Sequence, residues 1–320
     1  MSKQDYEAVI GLEVHAELST KTKIFCSCKT TYGGAPNTQV CPVCMAMPGA
    51  LPTLNEKVVE YAVKAGLATN CTISQDSKND RKNYFYPDTP RAYQISQYDK
   101  PLCEQGYIEI EDDDGNKKKI GITRIHIEDD AGKLNHDEFG GGTLVDFNRA
   151  GVPLIEIVSE PDIASAGEAE KYLKKLKSIL EYIEVSDCKM QEGSFRADVN
   201  VSVHKKGEPF GTRTESKNMN SFRSIVREID YEIERQIDII ENGGTVTQDT
   251  LRWDDVSGKT FVMRTKENAD DYRYFPEPDL VAIKLSTEYI ENVRKGLPEL
   301  PESRYERYLN EYKLSEKDAK

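Results

Sequence analysis

Between Ile10 and Leu18 the chain reads IGLEVHAEL, and an extended backbone sorts these residues by chemistry. Leu12, Val14, Ala16 and Leu18 fall on one face, and Glu13, His15 and Glu17 fall on the other. Other segments repeat the device. KIGITRIHIEDD sets Arg124, His126 and Glu128 on one face, and FRADVNVSVH alternates Arg196, Asp198, Asn200, Ser202 and His204 with alanine and valines. GVPLIEIVSEPD isolates Glu156 in an apolar run. A sheet that wets one face explains any one such strand. It explains the set poorly, because Glu156 sits where solvent exposure is not expected and crowded carboxylates repel unless a cation neutralises them. A metal-bearing sheet face is the expectation.

Ligand chemistry narrows the ion. Scattered Glu, Asp and Asn oxygens suit Mg²⁺, which keeps waters and shares its coordination with substrate phosphates. That points to a nucleotide, yet EDDAGKL lacks the upstream glycine and the Ser or Thr of a Walker A loop, and GGGTLV fails the dinucleotide fingerprint. ATP would therefore lie on an open sheet, held through metal and arginine contacts.

A second metal signal is independent of the first. Cys26, Cys28, Cys41 and Cys44 form C-x-C and C-x-x-C pairs separated by twelve residues, with Gly33, Gly34 and Pro42 allowing tight turns. Four thiolates at this spacing can close a tetrahedral Zn²⁺ site with no open position, hence a structural knuckle. Cys71, Cys103 and Cys188 have no partner by spacing and are expected as small buried hydrophobes.

The elements that must position these groups are legible in outline. Ser165 and Glu168 open a helical repeat of Leu173, Leu176, Leu180 and Ile183 over 165–184; Ile225, Ile229, Ile233 and Ile237 define another over 221–242, closed by Gly243-Gly244; a third spans 56–69. Asp114-Gly115 between alternating runs predicts a hairpin, and EFGGGTLVDFN a turn into a strand. The fold class is α+β, an antiparallel sheet with helices on one side. KGLPELPESR reads as a linker to a helical tail.

Composition bounds the rest. With 320 residues, 38% hydrophobic and 31% charged, the chain can bury a real core. No apolar run approaches the roughly 20 residues that cross a bilayer, and the first residues do not resemble a signal peptide, so a cytoplasmic, membrane-free protein is expected. A net charge of -13 excludes nucleic-acid binding through overall charge and leaves only local basic patches. One such patch is KNDRKNYFYPDTPRAYQ, where Lys78, Arg81, Lys82 and Arg91 interleave with Tyr84, Phe85, Tyr86 and Tyr93, able to hold phosphates and stack single-stranded bases, or simply to pack as core aromatics under exposed cations. DDYRYFPEPD repeats the theme around Arg273.

VIGLEVHAEL, SKNDRKNYFYPDTPRAYQISQ, GVPLIEIVSEPD and DDYRYFPEPDL closely resemble the B-subunit family of the aspartyl/glutamyl-tRNA(Asn/Gln) amidotransferases, nearly continuously from Glu7 to about Pro301. The resemblance implies a cradle domain of the glutamine synthetase/guanido kinase type over 1–296, the zinc knuckle at 26–44 included. It also implies the start of a truncated helical domain over 297–320, so that the chain looks like part of a longer protein. It implies a carbon–nitrogen ligase that uses ATP and Mg²⁺ to phosphorylate the side-chain carboxylate of Glu-tRNA(Gln), Asp-tRNA(Asn) or both. Amidation follows with ammonia from a partner amidase A subunit, in a heterotrimer with a small C subunit. Glu13, His15, Glu128 and Glu156 carry over from the family as the magnesium and phosphate-transfer set. Strand alternation adds Asp198, Asn200, Glu215 and Lys217, and Arg196 and Arg273 complete the expected cofactor-binding residues. Two other classes fit the same residues: a carboxylate-amine ligase acting on a small molecule, and a noncatalytic zinc-stapled scaffold.

Overall fold

The computed structural model describes residues 5–136, 141–265 and 269–319. Strand β1 (Tyr6–Glu17) forms where apolar and polar residues alternate, and its inward set of Ile10, Leu12, Val14 and Ala16 is buried. Around it gather β2 (Thr72–Ile73), β3 (Cys103–Glu111), β4 (Lys117–Asp129), β5 (Pro153–Ser159), β6 (Phe195–Lys205), β7 (Thr214–Lys217), β8 (Asp249–Asp254) and β9 (Lys259–Thr265). Among the described residues these form one nine-stranded sheet in the order β9-β8-β7-β6-β1-β5-β4-β3-β2, with β1 at its centre. Neighbouring strands run antiparallel except β7 and β8, which are parallel. That exception departs from the all-antiparallel expectation for a topological reason. The connection from β7 to β8 carries helix α3 (Phe222–Glu241), and a helical crossover returns the chain in the direction it left.

The other main helices are α1 (Glu56–Ala68) and α2 (Ala166–Tyr182), both within two residues of the ranges that spacing predicts. Asn55, Ser165 and Ser221 cap the three helices, each side-chain oxygen accepting a backbone N–H of the first turn. The predicted capping box at Ser165 is half made. Glu168 Oε2 accepts from Ala164 N and Lys118 Nζ, both at 2.8 Å, one residue upstream of the cap nitrogen. Gly243, at φ +74°, ends α3 in the left-handed region that a side chain would disfavour. In the predicted hairpin Gly115 takes φ +84°, and Asp112 Oδ1 accepts from the Asp114 and Asn116 nitrogens. The predicted turn in EFGGG, residues 138–142, falls partly on residues 138–140, which lie outside the described residues; the strand Thr143–Asp146 follows it. The predicted helical tail is the helix Pro301–Asn310.

Helices α1 to α3 bury the inward face of the sheet. Leu173, Leu176, Leu180, Ile225 and Ile229 join Ile10, Leu12, Val14, Ile125 and Ile157 in one core, leaving the other sheet face to polar side chains. Among the described residues, Glu168, Glu228 and Glu232 on these helices break the pattern. Glu228 on α3 is fully buried, and burial pushes its carboxyl up from the ordinary value near 4.5 to about 8, with Ser216 offsetting only part of the shift. Across that window the folded chain keeps a proton that the unfolded chain releases, so stability falls as pH rises from about 4.5 to 8 and levels off above. Glu228→Gln is expected to remove this slope and to stabilise the protein at pH 8 by on the order of a few kcal/mol. Thermal melts from pH 5 to 9 check it; a slope unchanged by the substitution would contradict it.

Candidate active site on the open face of the sheet

Alternation assigns side chains to a face, and register decides which of them meet. His126 on β4, Glu156 on β5, His15 on β1 and Arg196 on β6 stand in one row, each directly opposite the next. Glu128 lies two residues along β4 from His126 and therefore on the same face. His15 Nε2 lies 3.3 Å from Glu128 Oε1 and 3.3 Å from Glu156 Oε2, while His126 Nε2 lies 3.4 Å from the same Glu156 oxygen. Glu128, Glu156 and His126 are buried. Burial alone would raise both carboxyls; the hydrogen bonds of His126 and His15, with the charge of His126 leading at Glu156, outweigh it and hold both well below the carboxylate range. The same contacts outweigh burial at His15 and raise its imidazole to about 10. One donor atom from each of His15, Glu128 and Glu156 lies within 4.8 Å of the others, a compactness that fits a single cation.

A second group stands beside the first. Glu13 faces Asp198 across β1 and β6, and Asn200 Nδ2 donates to Glu13 Oε1 at 3.0 Å. Lys217 Nζ pairs with Asp198 and lies 3.0 Å from Glu215 Oε1. Burial raises the Glu13 carboxyl, and the charges of Glu156, Glu215 and Asp198 add to the shift.

Of the residues that sequence reasoning selects, Glu13, His15, Glu128, Glu156, Arg196, Asp198, Glu215 and Lys217 line one open cleft of about 800 Å³. Two do not. Asn200 is buried behind Glu13 and reaches the cleft only through it. Arg273, at φ +47°, is exposed and faces an adjoining basin with Phe85 and Tyr86, while its neighbours Tyr272 and Tyr274 line the main cleft. Within the basic and aromatic stretch, Arg81 pairs with Glu277 at 2.8 Å and stacks on Tyr93, and Arg91 pairs with Asp129. Both arginines are committed to the fold, which leaves Lys82 as the cation of that stretch lining the cleft. Its ammonium is raised, the charges of Glu128 and Glu156 outweighing burial.

Other cleft residues escape sequence reasoning. His126 shares the alternation that displays Glu128, and its role follows only from standing opposite Glu156. Arg149 lies on a loop with no periodicity to reveal it. It donates to the carbonyls of Ala131 and Gly132, and together with Arg196 it flanks Asp130, Arg196 Nη2 at 2.8 Å and Arg149 Nε at 3.5 Å from Asp130 Oδ2. Next to this group, burial and the charge of Asp130 push Glu17 up to about 8, partly offset by the two arginines.

At the knuckle the Sγ atoms of Cys26, Cys28, Cys41 and Cys44 all lie within 4.8 Å of one another, and those of Cys41 and Cys44 are 3.9 Å apart. A tetrahedral zinc with Zn–S bonds near 2.3 Å sets its sulfurs about 3.8 Å apart, so the four thiols fit that ion. Cys71, Cys103 and Cys188 are buried, as expected of small hydrophobes.

Residues 8–291 match the model of the GatB/GatE catalytic domain, almost the whole described sheet and its helices. The chain belongs to that family. It is 66% identical over 316 residues to the B subunit of the aspartyl/glutamyl-tRNA(Asn/Gln) amidotransferase of Caldicellulosiruptor bescii, covering 98% of this chain and 66% of the relative. The protein of the same name from Thermoanaerobacter pseudethanolicus is 66% identical, and that from Clostridium botulinum strain Langeland 60%, with the same coverage. The chain thus spans 66% of the length of these relatives. No helix among the described residues is long and apolar enough to cross a membrane.

Proposed function

We propose that this chain carries the ATP- and Mg²⁺-dependent step of a tRNA-dependent amidotransferase. In this reading residues 1–296 are the catalytic cradle and 297–320 begin a helical domain. The substrate is the side-chain carboxylate of Glu-tRNA(Gln), Asp-tRNA(Asn) or both, and ammonia comes from a partner amidase assembled with a small third subunit. The observation that carries the reading is His15 Nε2 set 3.3 Å from each of two buried carboxylates, in a cleft that Lys82, Arg124, Arg149, Arg196, Arg213 and Lys217 also line. The relatives' names supply the substrate class.

The chemistry asks little of the chain by way of bases. A carboxylate with an ordinary pKa near 4 is already ionised at neutral pH, so its oxygen can attack the γ-phosphorus directly as ADP leaves. Ammonia nitrogen then attacks the acyl carbon, releases phosphate and sheds a proton to give the amide. The difficulty is to hold two anions together in line. Lys82, Lys217 and Arg196 bring positive charge to the cleft, and Asp130 fixes the Arg196 guanidinium at one end of the row. His15, Glu128 and Glu156, with Glu13 alongside, would hold Mg²⁺, which when bound supplies a charge clamp across the phosphates.

The full-length protein assembled with its partner subunits, ATP and Mg²⁺ is expected to form amide on Glu-tRNA(Gln) or Asp-tRNA(Asn), and none on free glutamate or aspartate with ammonia. Amide made equally well on the free amino acid would replace this reading with that of a small-molecule ligase.

A further inference from the structure

Lys23 is fully buried, among the largest fully buried side chains of the described residues, and no carboxylate among those residues pairs with it. Its Nζ lies 3.6 Å from Cys44 Sγ and 3.3 Å from the Phe147 carbonyl oxygen. Taking a lysine head group out of water is costly unless anions or several acceptors receive it. One sulfur and one carbonyl oxygen are few partners for it. Four thiolates around one divalent ion carry a net charge of -2, and an ammonium against Cys44 offsets half of it. The position of Lys23 is explained when the knuckle is loaded.

We propose that Lys23 is the counter-cation of the four-cysteine site and the pin that ties metal occupancy to the loop at 145–151. This rests on the reading of Cys26, Cys28, Cys41 and Cys44 as a zinc site. Partners outside the coordination sphere orient ligands and tune how tightly a metal is kept. Lys23 does so through charge at Cys44 and through its bond to Phe147 O. The same loop is laced to the knuckle by other bonds: Asn37 N to Asp146 Oδ1 at 3.0 Å, Phe147 N to Asn37 Oδ1 at 2.8 Å, and Asn148 Nδ2 to Ala35 O at 2.7 Å. Arg149, next in the chain, lines the cleft beside Asp130. Lys23 is thus a positioning residue, holding the knuckle and, through it, one wall of the cleft.

The test loads wild type, Lys23→Met and Lys23→Gln with zinc and follows metal release to a chromophoric chelator, with hydrogen exchange of residues 145–151 read in parallel. Glutamine can keep a hydrogen bond to Phe147 O without the charge. Both variants are expected to release zinc at least tenfold faster than wild type and to lose protection in the loop. Release rates equal to wild type overturn the counter-cation role. A wild-type protein that takes up no zinc overturns the zinc reading itself, a different failure. Should neither variant fold, a zinc-loaded crystal structure of the wild type decides. Nζ in reach of Cys44 Sγ supports the role, and a side chain turned away from the cluster overturns it.

Discussion

If the proposed function holds, Glu128→Gln in the assembled amidotransferase is expected to lower the rate of ATP-dependent phosphorylation of the aminoacyl-tRNA by orders of magnitude. The substitution keeps shape and burial but removes one of two charges facing His15 Nε2. Loss of a metal ligand costs several kcal/mol of transition-state stabilisation, and each 1.36 kcal/mol is a factor of about ten in rate. Glu156→Gln should match it, because Glu156 is opposed by both His15 and His126. Glu13→Gln should cost less: its carboxylate is held by Asn200 and is not one of the three groups whose donor atoms converge. Asp5→Asn, exposed and just before the start of β1, is the control and should do little. ADP formation dependent on aminoacyl-tRNA, with saturating ATP and Mg²⁺, is the readout, and a near wild-type rate for Glu128→Gln would remove the triad from the reaction.

The second large effect concerns the knuckle. If Cys26, Cys28, Cys41 and Cys44 hold one zinc, elemental analysis should find about one ion per chain, and Cys41→Ser should lower the melting temperature by about 5–10 °C. Structural zinc contributes folding free energy because the unfolded chain has no preformed site. The segment at stake is broad, since the knuckle also anchors the 145–151 loop through Asn37, Gln39 and Asn148. Zinc-free wild-type protein that melts at the same temperature as the loaded form would contradict the site.

How far these features are legible in the sequence follows from the kind of information each needs. The helices are readable because capping serines and a 3.6-residue apolar repeat are local, and α2 and α3 start directly after Ser165 and Ser221. The polar sheet face is readable because a strand's period of two is local as well. What alternation cannot supply is register, and a shift of one residue would set His15 against Ile155 or Ile157 instead of Glu156. That is why alternation gives the face of His126 but not its place opposite Glu156. Lys82 and Arg81 sit side by side in one basic stretch, yet only the tertiary partner Glu277 shows that Arg81 belongs to the fold and leaves Lys82 to the cleft. The parallel β7–β8 pair escapes for the same reason, being fixed by where α3 returns the chain.

The central claim is that one sheet face gathers His15, Glu128 and Glu156 around a divalent cation that meets ATP. Crystals grown with Mn²⁺ in place of Mg²⁺ and a nonhydrolysable ATP analogue test it most directly, because the anomalous signal of manganese locates the ion without reference to the protein. The expected result is an ion within ligand distance, about 2.0–2.3 Å, of His15 Nε2 and of oxygens of Glu128 and Glu156, with phosphate oxygens of the analogue completing its shell. An ion and nucleotide bound elsewhere, with His15 still paired to Glu128 and Glu156, would contradict it.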